Sequence, residues 1–211
     1  MVSAEADTTR RKTRLFADAC CRHIARFLAA ERSRNAIEVS DLYADGLASE
    51  AQLTTALSEA DAAGPDVGVR HAVGRAGLSA AGAVIFLSPD LFVTDVLIGV
   101  IHTMVLSAGG TPPAEAAREA YRAELEAHAA LLRDIFGNSI RPATVDPAWL
   151  TGTVVALARQ MYESRDFSAM PILADALQDS GCDNADILSH CRGSGPHVRG
   201  CWVIDLLVGK E

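Results

Sequence analysis

Apolar residues return every three or four positions over both ends of this chain, the spacing of helices that bury one side. From Thr9 to Ala30 the recurring residues are Leu15, Phe16, Cys20, Ile24, Phe27 and Leu28. Arg11, Asp18, Arg22 and Arg26 fall on the opposite face, and Asp18 stands one turn ahead of Arg22, a spacing that favours an ion pair along the helix. A second helix is expected from Ser33 to Ala44, stopping at Asp45 and Gly46. Ser49 and Gln52 then form a capping box that opens a third helix, closed near Gly64 and Pro65.

The second half repeats the pattern. Thr111, Pro112 and Pro113 mark a helix start, and the Ala- and Glu-rich run through Leu132 ends at Phe136, Gly137 and Asn138. Asp146 followed by Pro147 reads as an N-cap and first-turn proline ahead of a face carrying Leu150, Val154, Leu157 and Met161. Phe167 to Ser180 carries Ile172, Leu173, Ala176 and Leu177 on one face and stops at Gly181. Asp183 and Asn184 cap a short helix to Cys191, and Gly193 to Pro196 separates it from a last apolar run, His197 to Val208, readable as helix or buried strand. Between Val67 and Gly110 the glycines at 74, 77 and 82 loosen the period, and Ala83 to Leu87 has the look of a short buried strand.

These patterns predict an all-α fold, a compact multi-helix bundle with two helical subdomains, 1–64 and 114–211, around an apolar, glycine-containing middle segment, 65–113. Composition agrees. The chain has 211 residues, 49% hydrophobic but only 5% aromatic, a mixture suited to helices packed through small side chains. Nineteen Lys and Arg stand against 27 Asp and Glu, a net charge of −8 that repels phosphate backbones and anionic membranes. The exception is a basic N-terminal series, Arg10, Arg11, Lys12, Arg14, Arg22 and Arg26, expected to be a solvated helix face and not a nucleic-acid surface. Leu91 to Ala108 is the most membrane-like stretch, but it contains Asp95 and His102 and reads as a core helix. The five cysteines form an odd set, and the first residues lack the apolar core of a signal peptide, so reduced thiols in a cytoplasmic protein are expected.

Candidate chemistry concentrates near the C-terminus, where Cys182, His190, Cys191, His197 and Cys201 fall within twenty residues. Zinc takes four such donors in a tetrahedron, and His197 and Cys201, if helical, would present their heads on one side. Against that stand the absent CxxC knuckle and the divergence of adjacent His190 and Cys191 by about 100° on a helix. The first expectation is therefore that Cys191 and Cys201 are core residues and the histidines bond local carbonyls, with no cofactor, and zinc is the alternative. A Cys-His nucleophile, Cys191 or Cys201 with His197 or His190 and an orienting Asp183, Asp186 or Asp205, lacks any local signature. Cys20 and Cys21 read as packing residues. Glu115, Glu119, Glu124, Glu126 and His128 lack the Glu-x-x-His spacing of a bridged metal site and read as an exposed charged face. No phosphate loop is present, and the turn Gly193 to His197 with Arg192 and Arg199 is the one place that resembles an anion cradle.

Two stretches are distinctive as text: LLRDIFGN, from Leu131 to Asn138, and GPHVRGCWVIDLLVGKE, from Gly195 to Glu211. With the N-terminal RKTRLFADACCRHI they resemble a large uncharacterised paralogous family of bacterial proteins abundant in planctomycetes, over about two thirds of the chain. The resemblance implies a module shared among many architectures, more typical of an adaptor than of one conserved enzyme, and it brings no catalytic residue with it. The combined expectation is a non-enzymatic helical interaction or regulatory module with a protein partner. The alternative is a zinc-type metal-binding protein built on the C-terminal Cys/His cluster.

Overall fold

The computed structural model describes residues 4–23, 31–62, 114–138 and 143–210, and in these most of the helical period becomes helix. The α-helices are α1 (Ala4–His23), α2 (Glu31–Ala44), α3 (Glu50–Ala62), α4 (Ala114–Phe136), α5 (Gly152–Ser164), α6 (Met170–Asp179), α7 (Ala185–Arg192) and α8 (Trp202–Val208). A 3-10 turn, Pro147–Trp149, precedes α5, and no strand occurs among the described residues. The chain divides into two compact units, Met1–His128 and Ala129–Glu211, so the division falls inside α4 and not at its start. The expectations for the middle segment, including the strand at Ala83 to Leu87 and the apolar run Leu91 to Ala108, lie outside the described residues. No described helix is long and apolar enough to cross a membrane.

In the first unit α1 packs on α2, and α2 on α3. Leu15, Phe16 and Cys20 are buried as their spacing predicts, but so are Arg14 and Asp18, which corrects the assignment of Asp18 to a solvent face. The reason is that α2 covers the polar side of α1 with its own polar groups. Arg11 pairs with Asp45 at 2.9 Å, Arg22 pairs with Glu38 and Asp41, and Arg14 reaches the Ser40 hydroxyl at 3.4 Å. Much of the basic N-terminal series is thus committed to a seam within the unit. Burial pushes the Asp18 carboxyl well above the usual carboxylate range, and the neighbouring charge of Asp41 adds to it against the opposing pull of Ser40 and Arg14. The predicted capping box forms at α3, where Ser49 N–H donates to Gln52 Oε1 at 2.8 Å.

The second unit wraps α5, α6, α7 and α8 around Val154, Ala158, Met161, Leu173, Leu177, Ile187, Val203, Ile204 and Leu207. Three local expectations change. Asp146 caps the 3-10 turn and not a long helix, because the Thr151 side chain supplies a second cap and restarts the chain as α5. Ile172 is exposed, since the buried face of α6 is Met170, Leu173, Ala174 and Leu177, rotated from the predicted one. The last apolar run is helical only from Trp202; Gly200, at φ +93°, sits in a turn that separates His197 from α8. Trp149 and Trp202 are half-buried at the edge of the core. Asp205 is fully buried, and Arg192 reaches Asp175 at 3.3 Å and Gln178 at 2.6 Å.

Candidate metal centre

The end of α4 brings an acidic residue onto a buried face. Asp134 lies between Leu131 and Ile135, both buried, and is itself only 2% exposed. Such a carboxylate must be satisfied locally, because an unpaired buried charge is costly. Its partners come from α7 and from the segment that follows it. Oδ1 accepts the His197 Nδ1 proton at 2.9 Å and lies 3.2 Å from His190 Nε2, and Oδ2 accepts the Val198 backbone N–H at 2.9 Å. The Cys201 sulfur stands 3.2 Å from His190 Nε2 and within 4.8 Å of this carboxylate. Local chain geometry makes the convergence: α7 presents His190, the loop turns at Gly193, and a tight turn closed by the Cys201 N–H on the Val198 carbonyl at 2.9 Å returns Cys201 to face it.

Asp134, His190, His197 and Cys201 each offer one ligand atom, and these atoms lie within 4.8 Å of one another. A tetrahedral zinc with bonds of about 2.0–2.3 Å has edges of about 3.3–3.8 Å, so adjustments of about 1 Å convert the cluster into a coordination sphere. Two of the four are already oriented from behind. His197 turns its second nitrogen, Nε2, to the Gly193 carbonyl at 3.4 Å, the arrangement by which a ligating histidine is held, and the Val198 N–H holds the far oxygen of Asp134. His190 differs. Its Nδ1 accepts the Trp202 indole N–H at 3.2 Å. An indole nitrogen only donates, so this ring is the tautomer with its proton on Nε2, aimed at Asp134 and Cys201.

Electrostatics follow from burial and these bonds. Burial works against the Asp134 carboxylate, but the hydrogen bonds from His190, His197 and Val198 outweigh it and hold its pKa below the usual range. For His197 burial disfavours the charged ring, and the bond and charge of Asp134 more than compensate, raising its pKa. Burial and the Asp134 charge push the Cys201 thiol well above its ordinary value. Without a cation Cys201 is therefore a neutral thiol, and the carboxylate sits on the same ring nitrogen as the sulfur, whereas a relay needs it on the opposite one. This geometry does not make a Cys-His-Asp nucleophile.

Of the five residues singled out by sequence, His190, His197 and Cys201 come together, while Cys182 and Cys191 belong to the hydrophobic core and stand outside the group. Burial, with the neighbouring Cys182 next in effect, pushes the Cys191 thiol up to about 12. The helical His197-to-Cys201 spacing is not what joins them, since the turn does so. Asp134 escapes a search for Cys and His, yet an acidic residue on the apolar face of an amphipathic helix was its readable signal. The other candidates disperse. Arg199 lies over the Tyr162 ring at 4.7 Å, and Arg192 reaches Asp175 at 3.3 Å. On α4, Glu115, Glu119 and Glu126 are exposed, whereas His128 is buried with its ring edge-on to Phe16 at 6.3 Å. Comparison of the chain with family models, with curated proteins and with solved structures finds no match in any of the three.

Proposed function

We propose that the protein is a non-enzymatic helical module whose C-terminal unit is closed by one zinc-type divalent ion held by Asp134, His190, His197 and Cys201. The observation that supports this reading is the convergence of two imidazoles, a thiol and a carboxylate within 4.8 Å. The donor set is of the borderline-soft kind that zinc prefers. Four protein ligands complete a tetrahedron and leave no position for a substrate, which favours a structural over a catalytic ion. Such an ion would tie the end of α4 to α7 and to the start of α8, reinforcing the apolar packing and hydrogen bonds between them. A module of this kind suits an interaction or regulatory role, as the resemblance to a widely shared bacterial block also implies.

Elemental analysis of untagged full-length protein, purified without chelators, tests the reading. One equivalent of zinc per chain is expected, with a fall in melting temperature when a chelator strips it and recovery when zinc returns. Protein that contains no metal, takes up none, and melts identically with and without chelator would overturn the proposal and leave Asp134 as the hub of a hydrogen-bonded cluster.

A further inference from the structure

The two histidines of the cluster are not equally prepared for a metal. His197 has its second nitrogen on a carbonyl, which accepts a proton from the ring. The second nitrogen of His190 instead faces a donor, the Trp202 indole N–H at 3.2 Å. A neutral imidazole carries one proton. When Nε2 gives its lone pair to a metal, that proton sits on Nδ1, and two N–H groups then point at each other across the former hydrogen bond. One of them must leave. The His190 ring is held by the metal, so the group that moves is the indole.

We propose that Trp202 is an internal competitor of the metal, so that filling the site through His190 Nε2 releases the Trp202 indole from His190 and couples metal occupancy to the position of Trp202. The inference rests on the metal reading above. In the metal-free state the tryptophan holds His190 in the tautomer that cannot ligate through Nε2. Binding takes the Cys201 thiol proton and the His197 Nδ1 proton to solvent and transfers the His190 proton from Nε2 to Nδ1 through solvent, leaving the indole N–H without its acceptor. The consequence extends to the end of α4. Trp202 lies flush on Gly137, where a Cβ would come within 2.9 Å of the indole Cγ and 3.0 Å of Cδ2. An indole that leaves His190 therefore also alters its contact with the turn that ends α4. Trp202 acts through His190 and is a positioning residue, not a ligand.

The test uses the full chain, titrated with zinc chloride against a chromophoric chelator, in wild-type and Trp202→Phe forms. Phenylalanine keeps an aromatic ring on Gly137 and removes the donor. Trp202→Phe is expected to bind zinc about tenfold more tightly, the equivalent of one hydrogen bond of competition. A purely structural role for the ring predicts equal or weaker binding. Independently of the variant, the indole N–H resonance of Trp202 in nitrogen-15-labelled wild-type protein should shift on zinc addition while that of Trp149 stays in place. Stoichiometric zinc binding with an unmoved Trp202 resonance, or with no gain in Trp202→Phe, would overturn the competition and leave the metal site standing. Failure of both proteins to bind zinc would overturn the site and the competition together.

Discussion

Asp134 and His197 stand 63 residues apart in the chain and 2.9 Å apart in space, carboxylate Oδ1 to ring Nδ1. That bond, with the one from Val198 N–H to the other oxygen, makes Asp134 the point at which the end of α4 holds the C-terminal loop.

Replacing Asp134 by Ala leaves the donors on His190, His197 and Val198 facing a cavity. A loss of about 3 kcal/mol of stability is expected, the range for removing one partner of a buried, hydrogen-bonded charge. Asp134→Asn keeps an acceptor oxygen and should lose less. Urea unfolding in the presence of chelator measures both without any contribution from metal. An Asp134→Ala protein as stable as wild type would show that the bonds contribute nothing net.

His197 sets a pH dependence of definite sign in the same metal-free protein. Its folded pKa is raised above the ordinary value near 6.5, so its contribution is complete below about pH 6.5 and fades as pH climbs through the folded value. Asp134, whose pKa is lowered, contributes fully above about pH 3.8 and loses that contribution only as pH falls through its folded value. His197→Gln should therefore abolish the decline of stability on the alkaline side. Melting temperatures of the two proteins between pH 5 and 9 test this; parallel curves would contradict it.

His128 has the opposite sign. Burial, with the charge of His23 adding, lowers its pKa from 6.5 to about 4, so between these values the unfolded chain takes up a proton that the folded one refuses. Stability should fall on acidification from pH 6.5 towards 4. His128→Phe, which retains a ring against Phe16, should flatten that slope in a pH series of denaturation midpoints. An unchanged slope would assign acid sensitivity to other groups.

Gly137 and Gly46 both adopt positive φ, at +61° and +71°, yet their surroundings differ. Nothing lies within 4 Å of a Cβ built on Gly46, whereas one on Gly137 meets Trp202 at 2.9 Å. Gly46→Ala should cost about 1 kcal/mol, the left-handed penalty alone, and Gly137→Ala should cost more by displacing the indole. Equal losses in paired unfolding experiments would show that Trp202 yields freely.

All five thiols are reduced and buried. Burial raises Cys21 and Cys201 as well as Cys191, so little thiolate forms at pH 8. A disulfide reagent should react slowly with native, chelator-treated protein and rapidly with all five cysteines after denaturation. Fast reaction of native protein would reveal opening of one unit.

Much of the secondary structure was legible because its causes are local. An apolar residue every third or fourth position, a Ser49–Gln52 box, an Asn184 cap and glycines after α2, α4, α6 and α8 each act within a turn or two of chain. These determined that the described residues are predominantly helical and, within a few residues, where most helices start and stop. Cys191 was readable as core for the same reason. Where two local signals competed, as Asp146 with Thr151, the boundary moved.

What tertiary structure decided depends on partners distant in sequence. Asp18 looks like a surface residue along α1, and only the polar face of α2 packed over it makes it a buried acid. The metal candidates looked like a cluster within residues 182–201, but the fold sends Cys182 and Cys191 into the core and completes the set with Asp134 from a helix end. Periodicity reports which side of a helix is apolar; it does not report which distant donor will meet a carboxylate there. The tautomer of His190 is the sharpest case, since the nitrogen that carries the proton is set by a tryptophan 12 residues away whose indole only the folded chain lays against it.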